Sequence, residues 1–465
     1  MKMSKYFFGV LVVFLTCVPV PSQTLATSQI SGTIQDETGA VVANAQIQLT
    51  QTDTRQVHRV TTNSSGSYII PDLPVGPYSI QISAQGFSTY IQNGIVLEVS
   101  SNPQINATLQ VGSVNEQVVV QANAAMVETQ SNGVGQVIDQ RQVVELPLNG
   151  RDPTQLIALA GATTSAPVGD LNTNKNFPTI TIAVAGGLPN GVTYLLDGGS
   201  HNDPFNNLNL PIPFPDALQE FKVETSSLPA QYGDHAAAAV NAVTRSGGNK
   251  FHGDAFEFIR NYIFNAKNFF GVNTPTSSGR DSLKRNQFGG VVGGPIKRDK
   301  LFFFGGYEGT IVRSNPPNSY VQVPTTAMLA GDFSQVTAPT SAGGCQKSQI
   351  TLGAPFATVG GKPNQINPTL FSAPALAALK DIPIATATND VSPTAAGLPV
   401  GCGFVRASVP ASYNENEAIG RGDYNLSDKH RLFARYFIGI YNQPVPLVAG
   451  NALDTNGVAQ YNNDS

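Results

Sequence analysis

Gly191-Val-Thr-Tyr-Leu-Leu-Asp-Gly198, Pro215-Asp-Ala-Leu-Gln-Glu-Phe-Lys-Val-Glu-Thr225 and Val240-Asn-Ala-Val-Thr-Arg-Ser-Gly-Gly-Asn-Lys-Phe-His-Gly253 belong to one stretch, Gly191 to Phe258, on which the fold assignment rests. Before it, the pattern is that of compact soluble domains. After it come long, Gly- and aromatic-rich strands separated by long irregular inserts. The stretch reads as the junction between a globular unit and the first strand of a long-stranded sheet.

Charged residues make up only 12% of the 465, against roughly 25% in ordinary domains. Asn, Gln, Ser, Thr and Gly take their place, which suits an exported, β-rich chain better than a cytosolic helical enzyme. The net charge of −4 leaves no footprint for nucleic acid. The length predicts two or three domains. Lys2 and Lys5, the apolar run Tyr6–Val18 and the small-residue site Thr24-Leu25-Ala26 read as a secretory signal peptide over residues 1–26. That run is shorter than the ~18–20 residues of a spanning helix, and no later segment approaches one. Passage through a membrane would therefore use strands.

Residues 27–110 show short alternating runs split by turn signals at intervals of about ten residues, the pattern of a small β-sandwich. Ile47 and Leu49 share a face, as do Tyr78, Ile80 and Ile82. Asp36-Glu-Thr-Gly39 and Asn63-Ser-Ser-Gly66 supply turns. Gly32-Thr-Ile-Gln-Asp36, Asn63-Ser-Ser-Gly-Ser-Tyr68 and Leu73-Pro-Val-Gly-Pro-Tyr78 resemble the carboxypeptidase-regulatory-like domain, which is grouped with starch-binding-like sandwiches. That resemblance implies a transthyretin-type sandwich and suggests carbohydrate binding. The residues themselves, with no Trp, fit a periplasmic spacer or docking module.

Residues 111–248 form a second unit. Val118–Val120 reads as a strand and Gln140–Glu145 as a short helix. A second helix is capped by Asp152, with Pro153 at its first position and Gly161 past its end, and with Leu156, Ile157 and Leu159 packing inward. Thr179–Ala185 and Val192–Leu196 read as strands. Val143-Val-Glu-Leu-Pro-Leu-Asn-Gly-Arg151, Tyr194-Leu-Leu-Asp-Gly198, Pro215–Thr225, Ala230-Gln-Tyr-Gly233 and Asn241–Asn249 resemble the plug of a TonB-dependent outer-membrane receptor. The subtype is the Oar-like one, in which a regulatory-like sandwich precedes the plug. The match runs in the expected order through most of residues 28–310. His235-Ala-Ala-Ala-Ala239 departs from the family pattern, and no energy-coupling box stands out after the signal peptide.

Residues 249–465 are identified by the same resemblance as the opening strands of the barrel. Phe288, Val292 and Ile296 share a face, and Leu301-Phe-Phe-Phe304 is aromatic on both faces, as at a membrane-interface girdle. Around the turn Ser427–His430, Arg421, Asp423 and Asn425 oppose Tyr424 and Leu426, while Leu432, Ala434, Tyr436, Ile438 and Ile440 face away from Arg431 and Arg435. A barrel wall gives this alternation, and so does a soluble hairpin buried on one face. An insert at about 314–412 carries Cys345 and Cys402; an oxidising compartment favours a disulfide between them, with two half-buried thiols as the alternative. About five or six strands follow Asn249, against about 22 in a plugged transporter barrel. The chain therefore reads as an N-terminal fragment or truncated frame.

The expected fold is mainly β: a sandwich, an α+β plug and the first strands of an incomplete transmembrane antiparallel barrel. No P-loop, nucleophile elbow or zinc motif occurs, so no enzyme, cofactor or metal centre is expected. Asp197, His201 and Asp203 cluster in a polar loop, but their spacing matches no metal site. Arg151, Asp197 and Glu220 are the candidate plug residues. They form either buried ion pairs that hold the plug and shift when it is pulled, or surface charges with no coupling role. The resemblance implies uptake of a bulky solute (siderophore, oligosaccharide or peptide, including a glycan or metal chelate). It also implies coupling to the inner-membrane TonB complex and a bacterial outer-membrane location, with the sandwich in the periplasm. A non-transporting surface, adhesion or carbohydrate-binding protein of the same architecture is the alternative.

Overall fold

In the computed structural model the described residues are 28–113, 116–121, 133–165, 182–205, 207–228, 232, 237–266, 282–314, 320–354, 358–395, 397–406, 411–428, 430–443 and 461–464. The signal-peptide stretch 1–26, His235 and most of Ala230–Gly233 lie outside them. The chain forms two compact units. The first comprises 1–254, 291–306 and 419–436, and the second 255–290, 307–418 and 437–465.

The first unit begins with the sandwich. Its strands are β1 (Ser28–Asp36), β2 (Gln46–Gln51), β3 (Val57–Thr61), β4 (Ser67–Leu73), β5 (Gly76–Ser83), β6 (Thr89–Leu97), β7 (Ala107–Leu109) and β8 (Gln117–Gln121). One sheet has the order β4-β1-β7 and the other β3-β2-β5-β6-β8. Period-two alternation sends Ile30, Ile34, Ile47, Leu49, Tyr78, Ile80, Ile82, Ile95 and Leu97 into a shared core. Each such side chain contributes ~1.5–3 kcal/mol on burial. The turns are set by side chains bonding their own backbone. Asp36 accepts from the amides of Thr38 and Ala40 at 2.8 and 2.9 Å. Asn63 accepts from those of Ser65 and Ser67 at 2.9 and 3.0 Å. Gly32 allows the chain at Ile105 to cross closely, since a Cβ there would lie 1.9 Å from the Ile105 carbonyl oxygen. Strand β8, expected in the domain over residues 111–248, instead extends the sandwich by pairing in parallel with β6. Local pattern reveals the strand but not which sheet edge receives it.

The second sheet of this unit is built from β9 (Val134–Asp139), β12 (Val192–Leu196), β13 (Gly199–Ser200), β14 (Leu218–Ser226) and β15 (Ala238–Thr244), in the order β13-β12-β15-β14-β9. β10 (Thr163–Ser165) and β11 (Ile182–Val184) pair beside it. The helix Gln140–Glu145 starts with a capping box between Asp139 and Gln142. The expected second helix, Pro153–Ala160, is a 3₁₀ helix capped by Asp152. With three residues per turn, Pro153 and Leu156 stack in one row and Thr154 and Ile157 in another, all buried. Leu159, expected inside, is exposed at the end of the segment. These elements cover one face of the sheet, where Ile138, Val143, Tyr194, Phe221, Val223 and Val240 form the core.

The long strands are β16 (His252–Asn261), β17 (Lys284–Lys297), β18 (Leu301–Ser314), β23 (Ala411–Asn425) and β24 (Arg431–Gln443), joined by β25 (Tyr461–Asp464). Their sheet order is β16-β17-β18-β23-β24-β25. Within the second unit, the segment between β18 and β23 holds β19 (Tyr320–Gln322), paired with β22 (Phe404–Arg406), and the small hairpin β20 (Thr358–Val359) and β21 (Lys362–Pro363). Cys345 and Cys402 are disulfide-bonded. Val323, Ala385 and Val405 give this insert a small core of its own.

Exposure separates the two readings of the strand alternation. A soluble hairpin would bury its apolar side. Here Leu432, Tyr436, Tyr424, Leu426, Val292 and Ile296 are exposed, while Arg421, Asp423, Asn425 and Gln287 are buried. Apolar-out and polar-in is the pattern of a wall facing lipid. Two of the aromatics expected at a girdle belong to the other side. Phe302 and Phe304 are buried, and the Arg245 guanidinium lies 5.7 Å from the Phe304 ring centroid. Period two assigns them to one face but does not say which face lipid meets.

Candidate functional site

The site is a network of buried charge in the first unit, and it starts at a turn. Asp197 and Gly198 link β12 to β13, whose registered pairs are Leu196 with Gly199 and Leu195 with Ser200. Both turn residues have positive φ, 50° and 81°. Asp-Gly suits such a two-residue hairpin because its twist matches that of the strands. The turn places the Asp197 carboxylate beside β15, where it accepts from the Thr244 amide at 2.8 Å and the Thr244 hydroxyl at 2.7 Å.

Two arginines from the long strands complete its shell. Arg421 of β23 donates through Nη1 to Asp197 Oδ1 at 3.1 Å, and Arg435 of β24 donates to Oδ2 at 3.0 Å. Arg421 also donates to the Thr244 hydroxyl at 2.9 Å and carbonyl at 3.0 Å. Its other edge is bidentate on Asp423, at 3.0 and 3.1 Å. Arg431 reaches Asp423 at 2.6 Å, and Phe433 stacks 5.1 Å from the Arg421 guanidinium. Three guanidinium groups thus share two carboxylates, with Arg421, Asp197 and Asp423 almost fully buried. Charge-assisted and bidentate bonds of this kind are the strong ones, and a low-dielectric site makes them position-specific.

Arg151 lies elsewhere in the unit. It follows Gly150 in the short turn after Leu148 and, like Gly150, has positive φ. Its guanidinium is buried and ion-paired with Asp216, at the start of the segment leading into β14. Arg245 donates to the Asp216 carbonyl at 3.4 Å. Glu220 forms a third element. It stands on the face of β14 opposite the apolar core, buried, and accepts from the Val99 amide of the sandwich. Asp197, His201 and Asp203, read as a polar loop whose spacing matches no metal site, take unrelated roles: His201 Nε2 lies 2.8 Å from the Pro211 carbonyl, and Asp203 accepts from the Phe205 amide at 2.8 Å. Among the described residues no group of three metal-ligating side chains occurs.

Asp423, Arg421, Arg431, Arg435 and Asp216 were not singled out from sequence. For the first four, the signal present was a polar stripe at period two. Beside the network, a cavity of about 1180 Å³ runs between the sandwich turns near Gln51 and Val75 and the strand ends near Arg421 and Arg431.

Burial pushes the Glu220 carboxyl up to about 8, opposed by the Val99 hydrogen bond, reinforced by Glu98 and opposed by Lys222. A folded-state value above the ordinary 4.5 means that the folded form holds a proton the unfolded chain has released between pH 4.5 and about 8. Stability contributed here is complete below that window and is lost as pH rises through it. Urea titrations of the full chain in detergent should show the midpoint for this unit falling from pH 5 to pH 8. Glu220→Gln should flatten that slope, and an unchanged slope would exclude Glu220 as its source.

Residues 243–465 match the outer membrane beta barrel domain family, and residues 29–110 match the carboxypeptidase regulatory-like domain. Over 291 residues the chain is 25% identical to the TonB-dependent transporter Oar of Myxococcus xanthus, covering 62% of this chain and 27% of that protein. The chain resembles this Oar transporter. Its barrel-domain residues place it in the outer membrane, in agreement with the apolar-out strands. The match spans 27% of the length of that relative. Among solved structures, the siderophore receptor PirA of Acinetobacter baumannii aligns with a TM-score of 0.36 at 14% identity, covering 70% of this chain and 34% of that one. The ferric enterobactin receptor PfeA of Pseudomonas aeruginosa aligns with a TM-score of 0.34 at 13% identity, covering 68% and 34%.

Proposed function

We propose that the intact protein takes up a bulky solute, a siderophore, oligosaccharide or peptide, across the outer membrane. The energy would come from an inner-membrane TonB complex. The observation carrying this reading is the Asp197 network, in which a turn of the globular sheet is held by guanidinium groups of two consecutive membrane strands. Such a tie secures a plug at rest. Being ionic, its groups can exchange their partners for water when the plug is pulled. Transport then rests on differential interaction between plug states, with no covalent step. Kinship with Oar supports the same reading.

The test is uptake of labelled solutes by cells carrying the full-length gene. Uptake that disappears when the energising complex is deleted is the expected result. Surface binding that persists without that complex, and without internalised solute, would instead assign a non-transporting surface or adhesion protein.

A further inference from the structure

The sandwich touches the rest of its unit in several places, and burial ranks them. Arg59 and Asp428 pair at 2.6 Å, but both side chains are more than half exposed, so solvent and salt weaken that tie. The Asn249 amide donates to the Asp53 carbonyl at 2.8 Å on the surface. The third contact is of another kind. The turn Glu98–Ser101, between β6 and β7, seats its backbone on the polar face of β14 and β15. Val99 donates to Glu220. The Ser100 carbonyl accepts from Lys222 Nζ at 3.3 Å, and its hydroxyl lies 2.9 Å from the Tyr232 hydroxyl. Glu220, Lys222, Tyr232 and Val99 are all at least nine-tenths buried.

The turn is held firmly from the sandwich side as well. The Ser28 hydroxyl donates to the Glu98 carbonyl at 2.5 Å, and the Gln29 amide donates to the Ser101 carbonyl at 3.1 Å. Ser100 has a φ of 53°, a left-handed conformation that a non-glycine residue holds only when its surroundings fix it. The contact is also independent of the covalent tether, since the chain leaves the sandwich through β8. Lys222 also pairs with Glu224 at 3.1 Å along β14, so the turn adds buried hydrogen bonds to Glu220 and Lys222 whose loss leaves those polar groups less well satisfied.

We infer that the Glu98–Ser101 turn is a docking key that locks the N-terminal sandwich to the plug sheet, so that the two move as one body. In transport, a displaced plug would therefore carry the sandwich with it. That consequence rests on the transport reading, whereas the lock itself does not. The test uses the full-length receptor in detergent, with nitroxide labels at Glu37→Cys in the sandwich and Arg141→Cys on the plug helix. A single narrow distance distribution is expected, broadening in Glu220→Ala/Lys222→Ala. Ser100→Trp blocks the notch from the sandwich side and leaves the plug sheet's own groups intact, and it should broaden the distribution in the same way. Amide exchange at Val99 should rise roughly tenfold or more in either variant, while β2 and β5 stay protected. A broad distribution in the unsubstituted labelled protein, or a narrow one in both variants, would overturn the lock.

Discussion

Asp197→Ala should destabilise the full-length protein by ~3–5 kcal/mol, the cost of stranding buried charge. It should lower the melting temperature in detergent by a few degrees, about 3–5 °C for a cooperative unit of this size. The reason is the count of charges around the turn. Arg421, Arg431 and Arg435 share Asp197 and Asp423. Removing Asp197 leaves three cations facing one carboxylate. Removing Arg421 leaves Asp197 with Arg435 and Asp423 with Arg431, two against two. Arg421→Met should therefore cost clearly less than Asp197→Ala, although it deletes more hydrogen bonds. Asp197→Asn separates charge from backbone, because Asn tolerates the positive φ of the turn and can still accept from the Thr244 amide. Its loss should lie between the other two. Equal melting temperatures for the wild type and Asp197→Ala would remove the network from any account of how the β12–β13 turn is held.

The second large effect is expected at Arg151. Both partners of the Arg151–Asp216 pair are about 8% exposed, so Arg151→Ala leaves a carboxylate buried, at a cost of ~3–5 kcal/mol. Positive φ at Arg151 adds a backbone cost of ~1–2 kcal/mol, which the ion pair offsets in the folded protein. Arg151→Gly removes pair and strain together and should be milder than Arg151→Ala. Arg151→Ala/Asp216→Ala removes both charges, and its loss should fall well short of the sum of the single losses. Denaturant titrations of the four proteins give the coupling directly. Additive losses would show that the two side chains do not act on each other. If the transport reading holds, Arg151→Ala should also depress uptake by cells expressing the full-length receptor.

Local chemistry was legible in the sequence wherever the determining distance is short. Alternation at period two exposed the strands of the sandwich and the faces of β23 and β24. Asx turns at Asp36 and Asn63 and the cap at Asp152 follow from side chains bonding backbone a few residues away. The motifs that resemble an Oar-like receptor point to the outer membrane from the sequence alone. Arg151, Asp197 and Glu220 stood out because they sit inside those motifs. Their partners did not.

Tertiary structure decided what no local period encodes. Asp197 and Arg421 are 224 residues apart in sequence, and Arg151 and Asp216 are 65 apart. Such pairs depend on how whole sheets come together, and a buried charge selects its partner only after the chain around it has closed. The alternation of β24 was equally compatible with a core-facing hairpin, and only the exposure of Leu432 and Tyr436 turned its apolar side outward. Strand β8 shows the same limit, since its valines specify extended backbone and not the sheet edge that accepts it. Sequence determined the turns and faces of this protein through short-range geometry. Three-dimensional closure alone decided which faces meet, because burial and charge pairing are properties of the assembled surface.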